Sequence, residues 1–226
     1  MQRSRLVAAT TAAASLALLL ASTGQSASAV ARAPLAVDST PSAVPGRGAA
    51  LQVFWSNFTS GTIGRADVDG TNVTQTLVTG ASNPAGMAAD TSAIYWADNG
   101  SHTIGRADLN GKDVEQAFIT GAAGPRGVAV DKHHVYWTNS STNTIGRADL
   151  DGRNVVQNFI VGASGPANVA VDAQHVYWAN AVSGTIGRAG LDGQDVDQAF
   201  ITGAAGPRGV AVVPGKGHGR KDPHGR

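Results

Sequence analysis

Residues 134–152 read HVYWTNSSTNTIGRADLDG, running from His134 through Trp137 and Arg147 to Gly152. The same pattern recurs at a spacing of 41 residues. Trp55, Trp96, Trp137 and Trp178 are the only four tryptophans in the chain. Each is followed ten residues later by Arg65, Arg106, Arg147 or Arg188, and five residues beyond that by Gly70, Gly111, Gly152 or Gly193. A fixed period of about 40 residues made of short strands predicts a β-propeller with one sheet per repeat.

The unit ending near Gly203 shows why. Gly165-Pro166-Ala167-Asn168 is a turn, and Val169 to Asp172 is a short alternating strand. His175 to Trp178 opens a second strand, rich in β-branched and aromatic residues. Thr185 to Ala189 is a third, and the turn at Leu191-Asp192-Gly193-Gln194 leads to a fourth over Val196 to Ile201. The small residues of the first strand suit the crowded axis. The Trp and Tyr of the second fill the widening gap between blades, with N–H and O–H groups expected to reach backbone of the neighbouring sheet.

The expected fold is therefore all-β: a four-blade propeller over residues 50–213, each blade of four antiparallel strands. The first unit starts at its second strand, Leu51 to Trp55, and the last stops after a first strand, Gly209 to Val212. Pairing residues 209–213 with residues 50–55 would close the ring and remove two open sheet edges. An 82-residue super-period lies beneath the 41-residue one: Asn72, Asp113, Asn154 and Asp195 alternate, as do Ala85, Arg126, Ala167 and Arg208. An eight-blade ring built from two chains fits that alternation equally.

The flanks are different in kind. Arg3 and Arg5, the apolar run from Leu6 to Ala21 and Ala27-Ser28-Ala29 make residues 1–29 a signal peptide, which predicts a secreted, extracellular or cell-wall-associated protein. Residues 30–49 read as an Ala/Pro-rich linker, and residues 214–226 as a basic, Gly/His-rich disordered tail. There is no cysteine, so the fold does without disulfides. No second apolar stretch predicts a membrane span. Residues 50–212 hold nine Lys/Arg against fourteen Asp/Glu. A mildly acidic body excludes a nucleic-acid surface, which needs clustered cations.

Phe54-Trp55-Ser56-Asn57, Tyr95-Trp96-Ala97-Asp98, Tyr136-Trp137-Thr138-Asn139 and Tyr177-Trp178-Ala179-Asn180 resemble the YWTD motif of low-density lipoprotein receptor class B repeats. The strings around Ile-Gly-Arg-Ala-Asp-Leu-Asp-Gly resemble the rest of that repeat. The resemblance implies a recognition propeller, usually of six blades, that binds other proteins. Two departures stand out: only Asp98 keeps the motif's acid, and there is material for four blades.

Chemistry is sparse. Asp67-x-Asp69-Gly70 and Asp149-x-Asp151-Gly152 resemble the start of a calcium loop, but a hairpin turn accounts for Asp-Gly, and the only glutamate is Glu115. Arg65, Arg106, Arg147 and Arg188 are read as inter-blade hydrogen-bond donors, and Trp55, Trp96, Trp137 and Trp178 as structural. No histidine set converges with a nucleophile or carboxylate. No catalytic residue, metal or cofactor is assigned.

The turns entering the first strands carry the one candidate binding site: Arg126 and Arg208 facing each other across the axis, with Asn168 and His102 near the same face. Two guanidinium groups at a concave mouth suit an acidic peptide, carboxylate or phosphate. The reading is a secreted ligand- or protein-binding module, monomeric or a two-fold dimer. Two alternatives stand beside it. One is a metal-dependent propeller enzyme of lactonase or streptogramin-lyase type, and the other is a structural wall or matrix protein.

Overall fold

A computed structural model describes residues 51–213; the expected signal peptide (1–29), linker (30–49) and tail (214–226) lie outside the described residues. Four antiparallel sheets follow one another along the chain, in the arrangement of propeller blades. Blade 1 has three strands, β1 (Gln52–Asn57), β2 (Thr62–Asp67) and β3 (Thr74–Thr79). Blade 2 has β4 (Pro84–Ala89), β5 (Ala93–Asp98), β6 (Thr103–Asp108) and β7 (Glu115–Ile119). Blade 3 has β8 (Pro125–Val130), β9 (His134–Asn139), β10 (Thr144–Asp149) and β11 (Val156–Val161). Blade 4 has β12 (Pro166–Val171), β13 (His175–Asn180), β14 (Thr185–Gly190) and β15 (Asp197–Ile201).

Sequential neighbours pair throughout, which needs only tight turns. In the hairpin joining the third and fourth strands, Asn72, Asp113, Asn154 and Asp195 all hold φ between 50° and 53°. Asn and Asp are the non-glycine residues that best tolerate this region, so their alternation preserves one backbone geometry.

The repeat's Trp is explained by the residue across from it. Trp137 pairs with Gly146, and a side chain on Gly146 would fall within the indole ring. The strand glycine is thus the floor on which the indole lies. The same holds for Trp55 with Gly64, Trp96 with Gly105 and Trp178 with Gly187.

Each blade lays one face on the next. Tyr95, Ile104 and Ile119 of blade 2 pack against Val128, Val135 and Trp137 of blade 3. Tyr136, Ile145 and Ile160 of blade 3 meet Val169, Val176 and Trp178 of blade 4. Ile63 and Val78 of blade 1 meet Ile94 and Trp96 of blade 2. Trp96, Trp137 and Trp178 are fully buried, a large hydrophobic contribution at every boundary.

Two expectations need correction. The ring-closing pairing of residues 50–55 with residues 209–213 is not formed: β1 pairs with β2 alone, and residues 202–213 contain no strand. Val210, Ala211 and Val212 instead line the same central cavity as β4, β8 and β12. They sit where a further inner strand would stand, while β1 packs on β4. The second correction concerns the aromatic polar tips. Tyr95, Tyr136 and Tyr177 donate to Asp90, Asp131 and Asp172 of their own blades. Trp55, Trp137 and Trp178 donate to Gln75, Gln157 and Gln198, again within the blade. The Gln side chain makes the crossing: Gln116, Gln157 and Gln198 donate Nε2–H to the carbonyls of Thr79, Thr120 and Val161 in the preceding blade. A half-buried amide can serve both neighbours because it has an acceptor and donors.

Candidate functional site

The turns that enter β4, β8 and β12, with the corresponding turn at Gly206–Gly209, converge on a concave mouth of about 380 Å³. Arg126, Asn168 and Arg208 line it together, beside Ala85, Asn99 and Phe58. Arg126 follows buried Pro125 and precedes buried Gly127, so the backbone is fixed while the side chain is exposed. Neither Arg126 nor Arg208 has a hydrogen-bond or ion-pair partner among the described residues. Two free guanidinium groups on one concavity can clamp an oxyanion through paired N–H donors.

His102 does not line the mouth. It sits in the β5–β6 loop at φ 59°, and its Nδ1 accepts the Gly124 N–H at 3.1 Å. Asn143 does the same one blade on, its Oδ1 accepting the Gly165 N–H at 2.8 Å. His102 is therefore a turn-holding residue that supports the loop before Arg126. Asn99 and Phe58 were not singled out from sequence. Both sit three residues after the repeat's Trp, a position the 41-residue alignment places on this face. Asn99 also donates to the Pro125 carbonyl at 3.0 Å, bracing the loop that presents Arg126.

Two of the four repeat arginines, Arg65 and Arg147, donate to the next blade. Arg65 Nη1 donates to the Leu109 carbonyl at 3.3 Å and Arg147 Nη1 to the Leu191 carbonyl at 2.9 Å. Arg147 also stacks on Phe159, 4.1 Å from the ring centroid. Arg106 differs, facing Glu115 at 3.6 Å.

The remaining titratable groups hold turns. The Asp90 carboxylate accepts from the Ser92 and Ala93 amides, and Asp172 from those of Gln174 and His175. Burial opposes ionisation at both, yet these hydrogen bonds outweigh it and hold both carboxyls below the usual range. Burial, with the neighbouring Asp131 carboxylate, pushes the Tyr136 phenol well up, so it stays a neutral donor. Asp98 is the exception: burial raises it despite the Trp96 indole and the Ser82 amide beside it. His134 lies 3.7 Å from both Asp131 and Asp149, away from the mouth. No group of three or more His, Asp or Glu among the described residues can hold a metal ion. The mouth, with two guanidinium groups and no carboxylate lining it, does not fit a divalent cation.

Fold and mouth define a β-propeller whose loops at one end form a cationic concavity. The chain belongs to the virginiamycin B lyase family, whose model matches residues 23–217. Among solved structures, a nidogen–laminin complex is similar at TM-score 0.64 and 22% identity, over 72% of this chain and 64% of that one. Virginiamycin B lyase from Staphylococcus aureus is similar at TM-score 0.59 and 20% identity, over 73% of this chain and 57% of that one. A catalytically inactive variant of that lyase with quinupristin, in which alanine replaces a histidine, is similar at TM-score 0.58 and 20% identity, over 74% and 61%. These likenesses show the fold. The chain spans less than two thirds of the length of each. No curated protein matches it.

Proposed function

We propose that this chain is a secreted, non-catalytic binding module. Its four-loop mouth receives a carboxylate- or phosphate-bearing group, most simply an acidic segment of an extracellular protein. One observation carries the reading: Arg126 and Arg208 line one concavity and neither has a partner among the described residues. Guanidinium groups left free at a concave surface of an otherwise acidic body focus attraction for anions onto that spot. The YWTD-like repeat and the propeller in a nidogen–laminin complex support a protein partner. The test is capture of extracellular proteins by wild type and by the folded Arg126→Ala/Arg208→Ala variant. Loss of captured partners in the variant supports the mouth, and undiminished capture moves the site elsewhere. Export is tested separately: protein recovered from the medium should begin near Val30.

The family match favours one second reading, a lyase. The described histidines speak against it, because His102 is bound to the Gly124 amide and His133, His134 and His175 lie at the β8–β9 and β12–β13 connections. Incubating the full chain with quinupristin, with and without divalent cations, decides between them. Turnover would make the protein an enzyme.

A further inference from the structure

Among the described residues, the outer faces of blades 1 and 4 are the uncovered halves of an interface that the blades form with one another three times. Where blades meet, Ile119 and Ile160 are 1% exposed, but their counterpart Ile201 is 50% exposed. On the facing side, Val135 and Val176 are fully buried, but their counterpart Val53 is 49% exposed. The polar couplings are split in the same way. Gln116, Gln157 and Gln198 each reach a carbonyl in the preceding blade at 2.7–2.8 Å. Gln75 has no such carbonyl among the described residues, and the Thr202 carbonyl, one period beyond Val161, receives no such amide. Arg65 and Arg147 reach the next blade's carbonyl and Arg106 turns to Glu115 instead; Arg188 has no next blade among the described residues and stacks on Phe200 at 4.1 Å.

We infer that the trailing face of blade 4 seats on the leading face of blade 1 of a second copy of this chain, reciprocally, in a two-fold ring. Among the described residues the inner edge of β1 is unpaired, and Val210–Val212 have inner-strand sequence without a partner strand. Inside the chain, Val128 pairs with Trp137 and Val130 with Val135; Val169 pairs with Trp178 and Val171 with Val176. Moving that register two periods sets Val210 opposite Trp55 of the second copy and Val212 opposite Val53. The same placement brings Gln75 of one copy to the Thr202 carbonyl of the other, and Arg188 to the Val68 carbonyl.

The placement of the chain's ends favours a second copy over self-closure. Val210–Val212 line the central cavity with β4, β8 and β12, whereas β1 packs on β4, so the chain's own ends are not side by side. A head-to-tail contact made twice about a two-fold axis closes, so no edge is left to grow a filament.

The experiment uses the full chain, which has no native cysteine. Directly paired antiparallel residues lie about 4.5–5.5 Å apart at Cα, within disulfide range. Wild type should run at twice the chain mass in light scattering. Under mild oxidation Val53→Cys and Val212→Cys, each as a single variant and then mixed, should yield a covalent 1:1 dimer that neither gives alone. A monomeric wild type overturns the proposal. So does a dimer in which the mixed variants fail to link, or a double variant that links only within one chain, which would restore self-closure.

Discussion

Trp137 donates its indole N–H to Gln157 Oε1 at 3.2 Å, and Gln157 passes the connection on to the Thr120 carbonyl at 2.8 Å. One blade's core residue is thereby tied to the neighbouring blade through a single amide. Trp137→Ala should cost about 3–5 kcal/mol, the range for emptying a buried aromatic site. Gln157→Leu, which leaves a buried indole N–H and a carbonyl unpaired, should cost about 1–3 kcal/mol. Denaturant unfolding with intact m-values measures both. A Trp137→Ala protein as stable as wild type would undo the account of the blade boundary.

Asp98 stands where Asn57, Asn139 and Asn180 stand in the other repeats. Asn139 Nδ2 donates to the Gln157 carbonyl at 2.9 Å and Asn180 to the Gln198 carbonyl at 3.0 Å. A carboxylate cannot, and in this blade the Trp96 indole N–H, beside the Asp98 carboxylate, makes no well-aligned hydrogen bond and Gln116 Oε1 is left unused. Asp98→Asn should therefore stabilise the protein at neutral pH by about 1 kcal/mol, one net hydrogen bond. The pH dependence follows from the raised carboxyl. The folded state holds the Asp98 proton more tightly than the unfolded state, so Asp98 costs stability once pH rises through its folded pKa. The ionisation part of Asn's advantage should thus shrink as pH falls through the raised folded pKa and be gone below about 4, the ordinary aspartate value. Melting curves of the two proteins from acid to neutral pH check it. A gap that is constant with pH would assign the effect to something other than ionisation.

Gly146 is fixed by Trp137, since its φ is not in the left-handed region and the three atoms nearest an added Cβ all belong to the indole. Gly146→Ala should destabilise by about 1–3 kcal/mol through overpacking. Gly70, exposed at φ 80° with nothing near its Cβ position, supplies the contrast. Gly70→Ala should cost about 1 kcal/mol from backbone strain alone. Pairing each glycine variant with Trp137→Ala separates the mechanisms: the Gly146 effect should largely vanish in that background, and the Gly70 effect should persist.

The sequence was legible where a side chain answers to something nearby. Trp137 at a 41-residue period announced blades because a large ring recurring in a small-residue strand pattern has few other uses, and Gly146 lies across from it by simple pairing. Arg147 as an inter-blade donor followed from the need of a half-buried guanidinium for an acceptor. Gln157 was not legible, although it recurs at Trp plus 20, because its two roles depend on a register shift between Ile145 and Arg147. Ring closure was misread for a related reason. Complementary strands at the two ends state what pairs with what, but the curvature of the arc decides whether they can meet. His102 misled because a histidine in a left-handed turn looks free until its amide partner is known.

Arg147 and Arg126 are the same residue type put to opposite uses, and their substitution should separate stability from binding. Arg147 is spent on the Leu191 carbonyl and the Phe159 ring, so Arg147→Met should cost about 1–3 kcal/mol of stability, the value of a charged hydrogen bond left unmade. Arg126 is exposed and without a partner among the described residues, so Arg126→Ala should leave unfolding within about 0.5 kcal/mol of wild type. Its effect should appear instead in binding of an acidic peptide, weakened roughly 10-fold or more and with a shallower dependence on salt, because a screened guanidinium contact has been removed. Titrations at two ionic strengths measure this. An Arg126→Ala protein that binds as wild type does, with the same salt slope, would remove Arg126 from the site and leave the mouth without its anion clamp.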